Sequence, residues 1–214
     1  MDPLLQSVFD AVVDGNRLGV EAGVKAALDA QSDPGVILNT GLIEAMREVG
    51  RRFEAGDCYV PEMLIAARAM QAGLALLKPR LAASGVQAGA KILVGTVKGD
   101  LHDIGKNLVG MMLEGAGYEI VDLGTDVSPQ AFAGAVREHG PRVVGLSALL
   151  TTTMQNMAST IEAIEDVGMR AQVKIIVGGA PLTDAFAKAI GADGYAADAS
   201  RAVSLVRRLT EPDA

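Results

Sequence analysis

The sequence lacks tryptophan, and only 3% of its residues are aromatic. Its core must therefore be built from aliphatic side chains, and the 25 glycines indicate close approaches between backbone segments. The single cysteine, Cys58, excludes an internal disulfide bond. The opening segment, MDPLLQSVFDAVVDG, has acidic residues where a signal peptide has basic ones. We therefore expect a protein of the reducing cytoplasm.

Basic residues are also few, since 19 Lys and Arg stand against 26 Asp and Glu, which gives a net charge of -7. The sequence has no basic stripe of the kind that binds a phosphate backbone, so we expect no nucleic-acid partner. Charged residues interrupt the apolar runs, so we expect no membrane-spanning segment of about 20 residues. Half of the residues are hydrophobic and 21% are charged, which is typical of a globular protein.

The chain up to residue 78 has apolar residues at helical spacing. Four such stripes predict a bundle of four helices, and Pro34 and Pro61 suit the first position of a helix. From residue 78 to 90 the pattern dissolves into small residues with Pro and Gly, which we interpret as a linker. The stripes are Leu5, Val8, Phe9 and Val12; Val20, Val24, Ala27 and Leu28; Leu38, Leu42, Met46, Val49 and Phe53; and Met63, Ala67, Met70, Leu74 and Leu77.

The rest of the chain alternates short apolar runs with helical stretches. Near-continuous Val and Ile predicts strands that are buried on both faces, as in a parallel sheet covered by helices. The predicted fold class is α/β, with an N-terminal four-helix bundle in residues 1–86 and a flavodoxin-like or Rossmann-like five-stranded parallel sheet in residues 87–214. Ligands of such sheets bind at the carboxyl ends of the strands. The runs are 91–97, 118–124, 142–149, 174–180 and the weaker 194–198.

The segment after the first predicted strand contains His102, one of two histidines in the chain, two positions after Asp100. A neutral imidazole binds metals best when its other ring nitrogen donates to a carboxylate, a role that Asp100 could fill. The competing interpretation is an aspartate that caps a helix beside a histidine that faces solvent. The D-x-H pair alone leaves both interpretations open.

Two further motifs follow later strands: SALLTTT comes after the third and GGA after the fourth. The set DLHDIG, SALLT and GGA, in this order on a parallel sheet, resembles the cobalamin-binding domain of B12-dependent methyltransferases. Residues 49–70, VGRRFEAGDCYVPEMLIAARAM, are similar to the helical cap module that precedes this domain in methionine synthase and in the corrinoid proteins of methylamine and methanol methyltransferase systems. The resemblance covers nearly the whole chain.

This resemblance implies a cobalamin cofactor, either methylcobalamin or a related corrinoid. It implies that His102 replaces the cofactor's own base as the lower ligand of cobalt, with Asp100 holding the imidazole and Thr153 completing the relay. The displaced nucleotide tail is expected in a slot between sheet and helices. The residues that match the slot are Gly105, Gly178 and Gly179 on its walls, with Ser147, Leu149, Thr151 and Ala199 near the tail.

The resemblance also implies that the helical cap covers the methyl group on the opposite face of the corrin. A Phe and a large aliphatic residue seven positions later perform this role in the family, and Phe53 and Val60 match them. The implied function is a non-catalytic methyl carrier. A substrate-specific methyltransferase would load a methyl group from a small donor such as a methylamine, methanol or a methoxylated compound. A methylcorrinoid:acceptor methyltransferase would pass it to a thiol or a folate, and a reductive activase would restore the cofactor.

Three alternatives stay open at this point. A cobalamin-dependent sensor shares the architecture, but it is expected to have a DNA-binding module and a Trp in the cap motif, which this sequence does not show. The small subunit of an adenosylcobalamin mutase shares D-x-H-x-x-G but has no such helical cap. A flavodoxin-like module without cobalt would make Asp100 and His102 incidental.

Overall fold

The computed structural model describes residues 2–84 and 89–210. These residues form two compact units. The helical unit consists of Met1–Gly89 together with Glu114–Gly117, and the sheet unit consists of Ala90–Leu113 together with Tyr118–Ala214. The predicted boundary between residues 86 and 87 lies outside the described residues.

The helical unit forms its helices from the four apolar stripes, so the predicted bundle is confirmed. Asp2 and Asp33 cap two of the helix starts, with side chains that accept from the backbone N–H groups of Leu4 (2.8 Å) and Val36 (3.0 Å), and a proline follows each aspartate. The third stripe is continuous but changes its winding along its length. The elements are α1 (Pro3–Val13), α2 (Arg17–Asp29), α3 (Pro34–Val36), a π-helix (Ile37–Ile43), α4 (Glu44–Ala55) and α5 (Val60–Ser84).

The helix α5 extends further than the sequence pattern predicts. It passes through Pro79 and enters the segment 78–90, where we expected a linker. Leu77 and Leu81 are both buried and continue the apolar period across the proline, which explains why the helix does not stop there. The expected linker therefore begins no earlier than the end of this helix.

The same helix bears on the expectation that no segment could span a membrane. Val60–Leu81 is long and apolar enough to do so by length and composition alone, which is weak evidence because the core helix of a soluble protein passes the same test. In the structure α5 packs against α1, α2 and α4. At Gly73 the approach of α2 is so close that an added Cβ would lie 2.7 Å from Cγ1 of Val20. The helix thus fills the core of the bundle.

The sheet unit confirms the predicted five-stranded parallel sheet, in which the second strand along the chain lies at one edge and is followed by the first, third, fourth and fifth. The strands are somewhat shorter than the apolar runs that predict them. In chain order the elements are β1 (Lys91–Thr96), α6 (Ile104–Gly115), β2 (Glu119–Asp122), α7 (Pro129–His139), β3 (Val143–Ser147), α8 (Gln155–Asp166), a 3-10 turn (Arg170–Gln172), β4 (Lys174–Gly178), α9 (Asp184–Ala189), β5 (Gly194–Ala196) and α10 (Ala199–Thr210).

Both faces of the central strands are buried, as the Val-rich and Ile-rich runs predict. Neighbouring residues that point to opposite faces, such as Ile92 and Leu93 in β1 or Val143 and Val144 in β3, have no exposed surface. On one face the ring of Phe132 in α7 lies over Gly95 in β1, where an added Cβ would be 2.6 Å from Cζ of the ring. Glycine in this strand therefore makes room for the largest fully buried side chain.

The strand order places a particular pair of loops side by side. The order reverses between β1 and β3, and ligands of doubly wound sheets bind at the carboxyl ends of strands at such a point. Thr96 and Ser147 are partners at the ends of these two strands, and the N–H of Val97 donates to the carbonyl of Ser147 (3.0 Å). The segments that carry the candidate motifs thus start next to each other.

Replacing Gly95 with Ala tests the contact with Phe132. Because the added methyl group would collide with the buried ring, we expect the free energy of unfolding to fall by about 1–3 kcal/mol. Phe132→Leu should relieve the collision, so the double variant should lose less stability than the sum of the two single variants. Urea denaturation of the four proteins measures this coupling, and strictly additive losses would contradict it.

Candidate functional site

The loop between β1 and α6 begins with a tight turn. The backbone N–H of Asp100 donates to the carbonyl of Val97 (3.1 Å), and Gly99 has a φ of 80°, a conformation that glycine adopts without strain. After this turn the side chain of Asp100 is completely buried. A buried carboxylate is stable only where several donors reach it.

Asp100 receives these donors from two loops. In its own loop the backbone N–H (3.1 Å) and Nδ1 (2.7 Å) of His102 approach Oδ1. From the loop after β3, the backbone N–H groups of Leu149 (2.8 Å) and Leu150 (3.2 Å) and the hydroxyl of Thr153 (2.7 Å) approach Oδ2. The loops of two adjacent strands therefore meet at one carboxylate.

These contacts determine the charge of Asp100. Burial acts to raise the pKa of this carboxyl group, but hydrogen bonds from Thr153, Leu149 and His102 together outweigh it, so the pKa of Asp100 lies well below its usual value. Asp100 is therefore ionised at neutral pH. An ionised carboxylate can only accept hydrogen bonds.

The charge of Asp100 in turn fixes the tautomer of His102. Because the carboxylate cannot donate, Nδ1 of His102 must carry the proton of their 2.7 Å hydrogen bond, which leaves the lone pair of Nε2 free in the neutral ring. The His102 side chain is 51% exposed, so a ligand can reach it. This is the arrangement of a metal-binding histidine whose second nitrogen is held by a carboxylate.

The structure decides against the helix-cap interpretation of Asp100. The residue that precedes α6 is Asp103, whose carbonyl accepts from the N–H of Asn107 (2.8 Å) and whose Oδ2 accepts from Nδ2 of Asn107 (3.0 Å). Asp100 instead bonds to His102 and to the loop after β3. The carboxylate thus belongs to a site that is built across two strands.

The set of donors limits the kind of metal group that His102 could bind. Residues 2–84 and 89–210 contain no group of three or more His, Cys, Asp and Glu side chains that could hold a metal ion. A metal on His102 would therefore need ligands that these residues do not supply. A corrinoid brings cobalt with four ring nitrogens already bound, so the single histidine fits this cofactor.

Exposed apolar side chains occur in both loops of the site. Leu101 and Ile104, on either side of His102 in sequence, are 72% and 86% exposed, and Leu149 and Leu150 are 43% and 41% exposed. Exposed apolar side chains that lie together are common at binding surfaces. A broad, largely apolar cofactor over His102 would cover such side chains.

The motif glycines differ in what surrounds them. Gly105 lies in the first turn of α6, and an added Cβ there would meet no atom within 4 Å. At Gly179, whose φ is 141°, an added Cβ would lie 1.9 Å from the carbonyl oxygen of Ala148, and at Gly178 it would lie 3.2 Å from the carbonyl oxygen of Ala196. The fold itself therefore requires Gly179, whereas the open space at Gly105 is free for a ligand.

The remaining site residues predicted in the sheet unit lie at the ends of strands. Ser147 is the last residue of β3, and Thr151 is exposed in the loop that follows it. Thr153 is buried and is the hydroxyl that contacts Asp100. Ala199 is buried as the first residue of α10. Of these four residues, Thr153 is the one that the structure brings to Asp100.

Phe53 and Val60, which the resemblance assigns to the cap, belong to the helical unit. Phe53 lies in the last turn of α4 and is half-buried. Val60 is the first residue of α5, and 39% of its surface is exposed. Gly56, in a left-handed conformation with φ of 80°, ends α4 and begins the short connection between these two residues. Their role in shielding a cofactor stays a prediction.

Two buried polar residues near the site are not predicted from the sequence. Thr96, at the end of β1, donates from Oγ1 to the carbonyl of His102 (2.9 Å). Lys106, in the first turn of α6, is buried and donates from Nζ to carboxylate Oδ2 of Asp122. A threonine in an apolar strand and a lysine on a helix are ordinary in sequence, so neither residue stands out before the fold is known.

The fold and the site together define a doubly wound domain that presents a carboxylate-held histidine at its switch point. Comparison with known proteins identifies the group. Two family models, each described as a B12 binding domain, match residues 4–78 and 90–204. The chain is 43% identical over 210 residues to the dimethylamine corrinoid protein of Methanosarcina barkeri, across 97% of this chain and 98% of that protein.

Solved structures agree with this comparison. A cobalamin-binding protein from Desulfitobacterium hafniense DCB-2 has a TM-score of 0.78 and 32% identity, covering 96% of this chain and 98% of that one. A chain in the methanol:cobalamin methyltransferase complex from Methanosarcina barkeri has a TM-score of 0.89 and 27% identity, covering 99% of this chain and 81% of that one. The chain belongs to the B12-binding corrinoid proteins, and its cofactor is a corrinoid.

Thr153→Val tests the support of the buried carboxylate. The variant keeps the shape of the side chain but removes one donor to Asp100, so we expect a loss of about 1–3 kcal/mol in the free energy of unfolding. Thr153→Ser keeps the hydroxyl and should lose much less. Chemical denaturation of the three proteins measures the difference.

The difference between wild type and Thr153→Val should depend on pH. The native pKa of Asp100 is lowered, so its stabilising contribution is present above the unfolded-state value of about 4 and is lost as pH falls through the native pKa. We therefore expect the two unfolding free energies to converge only as pH falls through the native pKa of Asp100, well below 4. A difference that stays constant into strong acid would argue against the ionised carboxylate.

Proposed function

We propose that this chain is the methyl-carrying subunit of a corrinoid-dependent methyltransferase system. The observation that carries the proposal is the imidazole of His102, held through Nδ1 by a buried, ionised carboxylate at the switch point of the sheet. When bound, the corrinoid supplies a cobalt centre that accepts and releases a methyl group. In this proposal Nε2 of His102 is the protein ligand of that cobalt.

Asp100 and Thr153 have distinct tasks in this proposal. Asp100 remains ionised and accepts a hydrogen bond from Nδ1 of His102, so the lone pair of Nε2 is left to bind the cobalt of the corrinoid. Thr153 donates to the other carboxylate oxygen and keeps Asp100 aligned with His102.

The proposal also assigns residues to the rest of the cofactor. We place the nucleotide tail along the open space at Gly105, which the fold leaves unfilled. The hydroxyls of Ser147 and Thr151 would contact the tail. Phe53 and Val60 of the helical unit would shield the methyl group. The other residues proposed to line the tail are Leu149, Gly178, Gly179 and Ala199.

A methylated amine is the donor class that we propose first. The relative that is 43% identical is named a dimethylamine corrinoid protein, whereas the chain from the methanol:cobalamin methyltransferase complex is 27% identical. One partner methyltransferase would load the methyl group, a second would transfer it to a thiol or a folate, and a reductive activase would restore the cofactor. We place this system in the cytoplasm, in keeping with the free Cys58.

Replacing His102 with Ala tests the proposed ligand. We expect the variant, loaded with cobalamin and reduced to Co(II), to lose the nitrogen hyperfine splitting of imidazole from its electron paramagnetic resonance spectrum. His139→Ala, which removes the other histidine of the chain, is the matched control and should retain the splitting. Imidazole splitting that survives in the His102 variant would show that another group binds the cobalt.

A second test concerns the carrier role. We expect the reduced holoprotein to be methylated slowly or not at all by dimethylamine, trimethylamine or methanol alone, because donor activation is assigned to a partner. Addition of a purified methyltransferase for the correct donor should make the reaction fast, as followed by cofactor absorbance. Fast methylation by an unactivated donor without a second protein would show that the chain is itself a methyltransferase.

A further inference from the structure

We propose that Asp126 is a positioning residue for the histidine site: from the loop after β2 it fixes the turn at residues 98–100 and so sets the alignment of Asp100 with His102. The inference rests on the proposed role of His102 as a ligand. It adds a third strand of the sheet to a site that the motifs place on β1 and β3.

The contacts of Asp126 reach three consecutive residues of the turn. Its Oδ1 accepts from the backbone N–H of Gly99 (2.8 Å), and its Oδ2 accepts from Nζ of Lys98 (3.1 Å). Its own backbone N–H donates to the carbonyl of Asp100 (3.0 Å). Asp126 therefore contacts the turn at all three of its residues.

The backbone of Asp126 is itself unusual. Among residues 2–84 and 89–210, Gln31 and Asp126 are the two non-glycine residues with positive φ, and Asp126 has a φ of 54°. Most side chains disfavour this conformation, whereas Asp and Asn tolerate it because their short polar side chains can form local hydrogen bonds. Glycine would adopt this backbone conformation without strain, so the conformation alone does not explain why a carboxylate is present here. The bond to Gly99 supplies a reason for the carboxylate.

The charge of Asp126 is maintained by the same contacts. The N–H of Gly99 and the ammonium of Lys98 lower the pKa of this carboxyl group, so it is ionised at neutral pH. The side chains of Lys98 and Asp126 are 54% and 43% exposed, and an exposed ion pair of this kind contributes little. The bond from the Gly99 N–H is the side-chain contact of Asp126 that acts on the backbone of the turn.

The position of the Gly99 peptide bears directly on Asp100. Asp100 follows this peptide and must place one carboxylate oxygen within reach of His102 and the other within reach of the loop after β3. Nδ2 of Asn156 in α8 binds the carbonyl of Lys98 (2.7 Å), so the start of the turn is held by a second element. The Asp126 carboxylate holds the N–H side of this same Lys98–Gly99 peptide group. Without the carboxylate the N–H of Gly99 loses its partner, and we expect the peptide to tilt and Nδ1 of His102 to lose a well-aligned acceptor.

The experiment compares Asp126→Asn with Asp126→Gly in the full chain. Asn and Gly both tolerate a left-handed backbone at this position, but only Asn keeps an acceptor for the N–H of Gly99. Lys98→Met removes the ion pair alone. The readout is the ring nitrogen spectrum of 15N-labelled apo protein at mildly alkaline pH, which reports the neutral tautomers. The chain has two histidines, so His139→Gln assigns the signals of His102.

We expect wild type, Asp126→Asn and Lys98→Met to show mainly the tautomer of His102 with the proton on Nδ1. In Asp126→Gly the other tautomer should rise severalfold, while the His139 signals and the far-ultraviolet circular dichroism stay unchanged. A wild-type tautomer ratio in the Gly variant, or an Asn variant as altered as the Gly variant, would overturn the proposal.

A measurement on the wild type keeps the proposal testable if the Gly variant does not fold. The amide of Gly99, an exposed residue, should exchange its hydrogen much more slowly than an unbonded amide; unprotected exchange would overturn the role of Asp126. Failure of the proposed ligand is seen separately. If wild-type holoprotein shows no imidazole splitting in the Co(II) spectrum, His102 is not the ligand, whatever the tautomer ratios in the apo protein.

Discussion

The buried charge of Asp100 is the constraint on which the site depends. An unpaired carboxylate with no exposed surface would be strongly destabilising, and the fold meets this requirement with donors from two separate loops. These donors can converge because β1 and β3 are neighbours at the point where the strand order reverses. The same contacts therefore stabilise the carboxylate and fix the conformations of both loops.

The order of cause and effect runs from this carboxylate to the histidine. The hydrogen-bond donors around Asp100 keep it ionised, and its charge places a proton on Nδ1 of His102. The lone pair of Nε2 is then free to bind a metal. Thr96 adds a bond to the backbone of His102 at its carbonyl. His102 is thus held at its backbone carbonyl and at Nδ1, while half of its side-chain surface is accessible to a ligand.

Sequence patterns predict the parts of this structure that follow from burial. The apolar runs predict all five strands, including the weaker run at 194–198, and the stripes predict the helices of the bundle. The D-x-H spacing brings Asp100 and His102 to one strand end. The patterns fail where a residue acts through the backbone of another. Thr96 and Asp126 bind peptide groups that only the folded loops bring near, and no spacing in the sequence reports such a contact.

The end of α5 is a second place where the sequence pattern fails to predict the structure. Small residues with Pro and Gly favour a linker locally, but the buried pair Leu77 and Leu81 stabilises the helix on both sides of Pro79. Tertiary packing here overrides a local preference that is real but weaker. Local composition therefore locates the connection between the units only to within one or two turns of helix.

The glycines that match the cofactor motif illustrate why a structure is needed to interpret such a match. Gly179 is required by the fold, because a side chain there would collide with the carbonyl of Ala148 whether or not a ligand is bound. Gly105 faces open space and is not required by packing. The sequence motif alone does not separate these two cases, because only the surroundings of each glycine in the folded chain distinguish them.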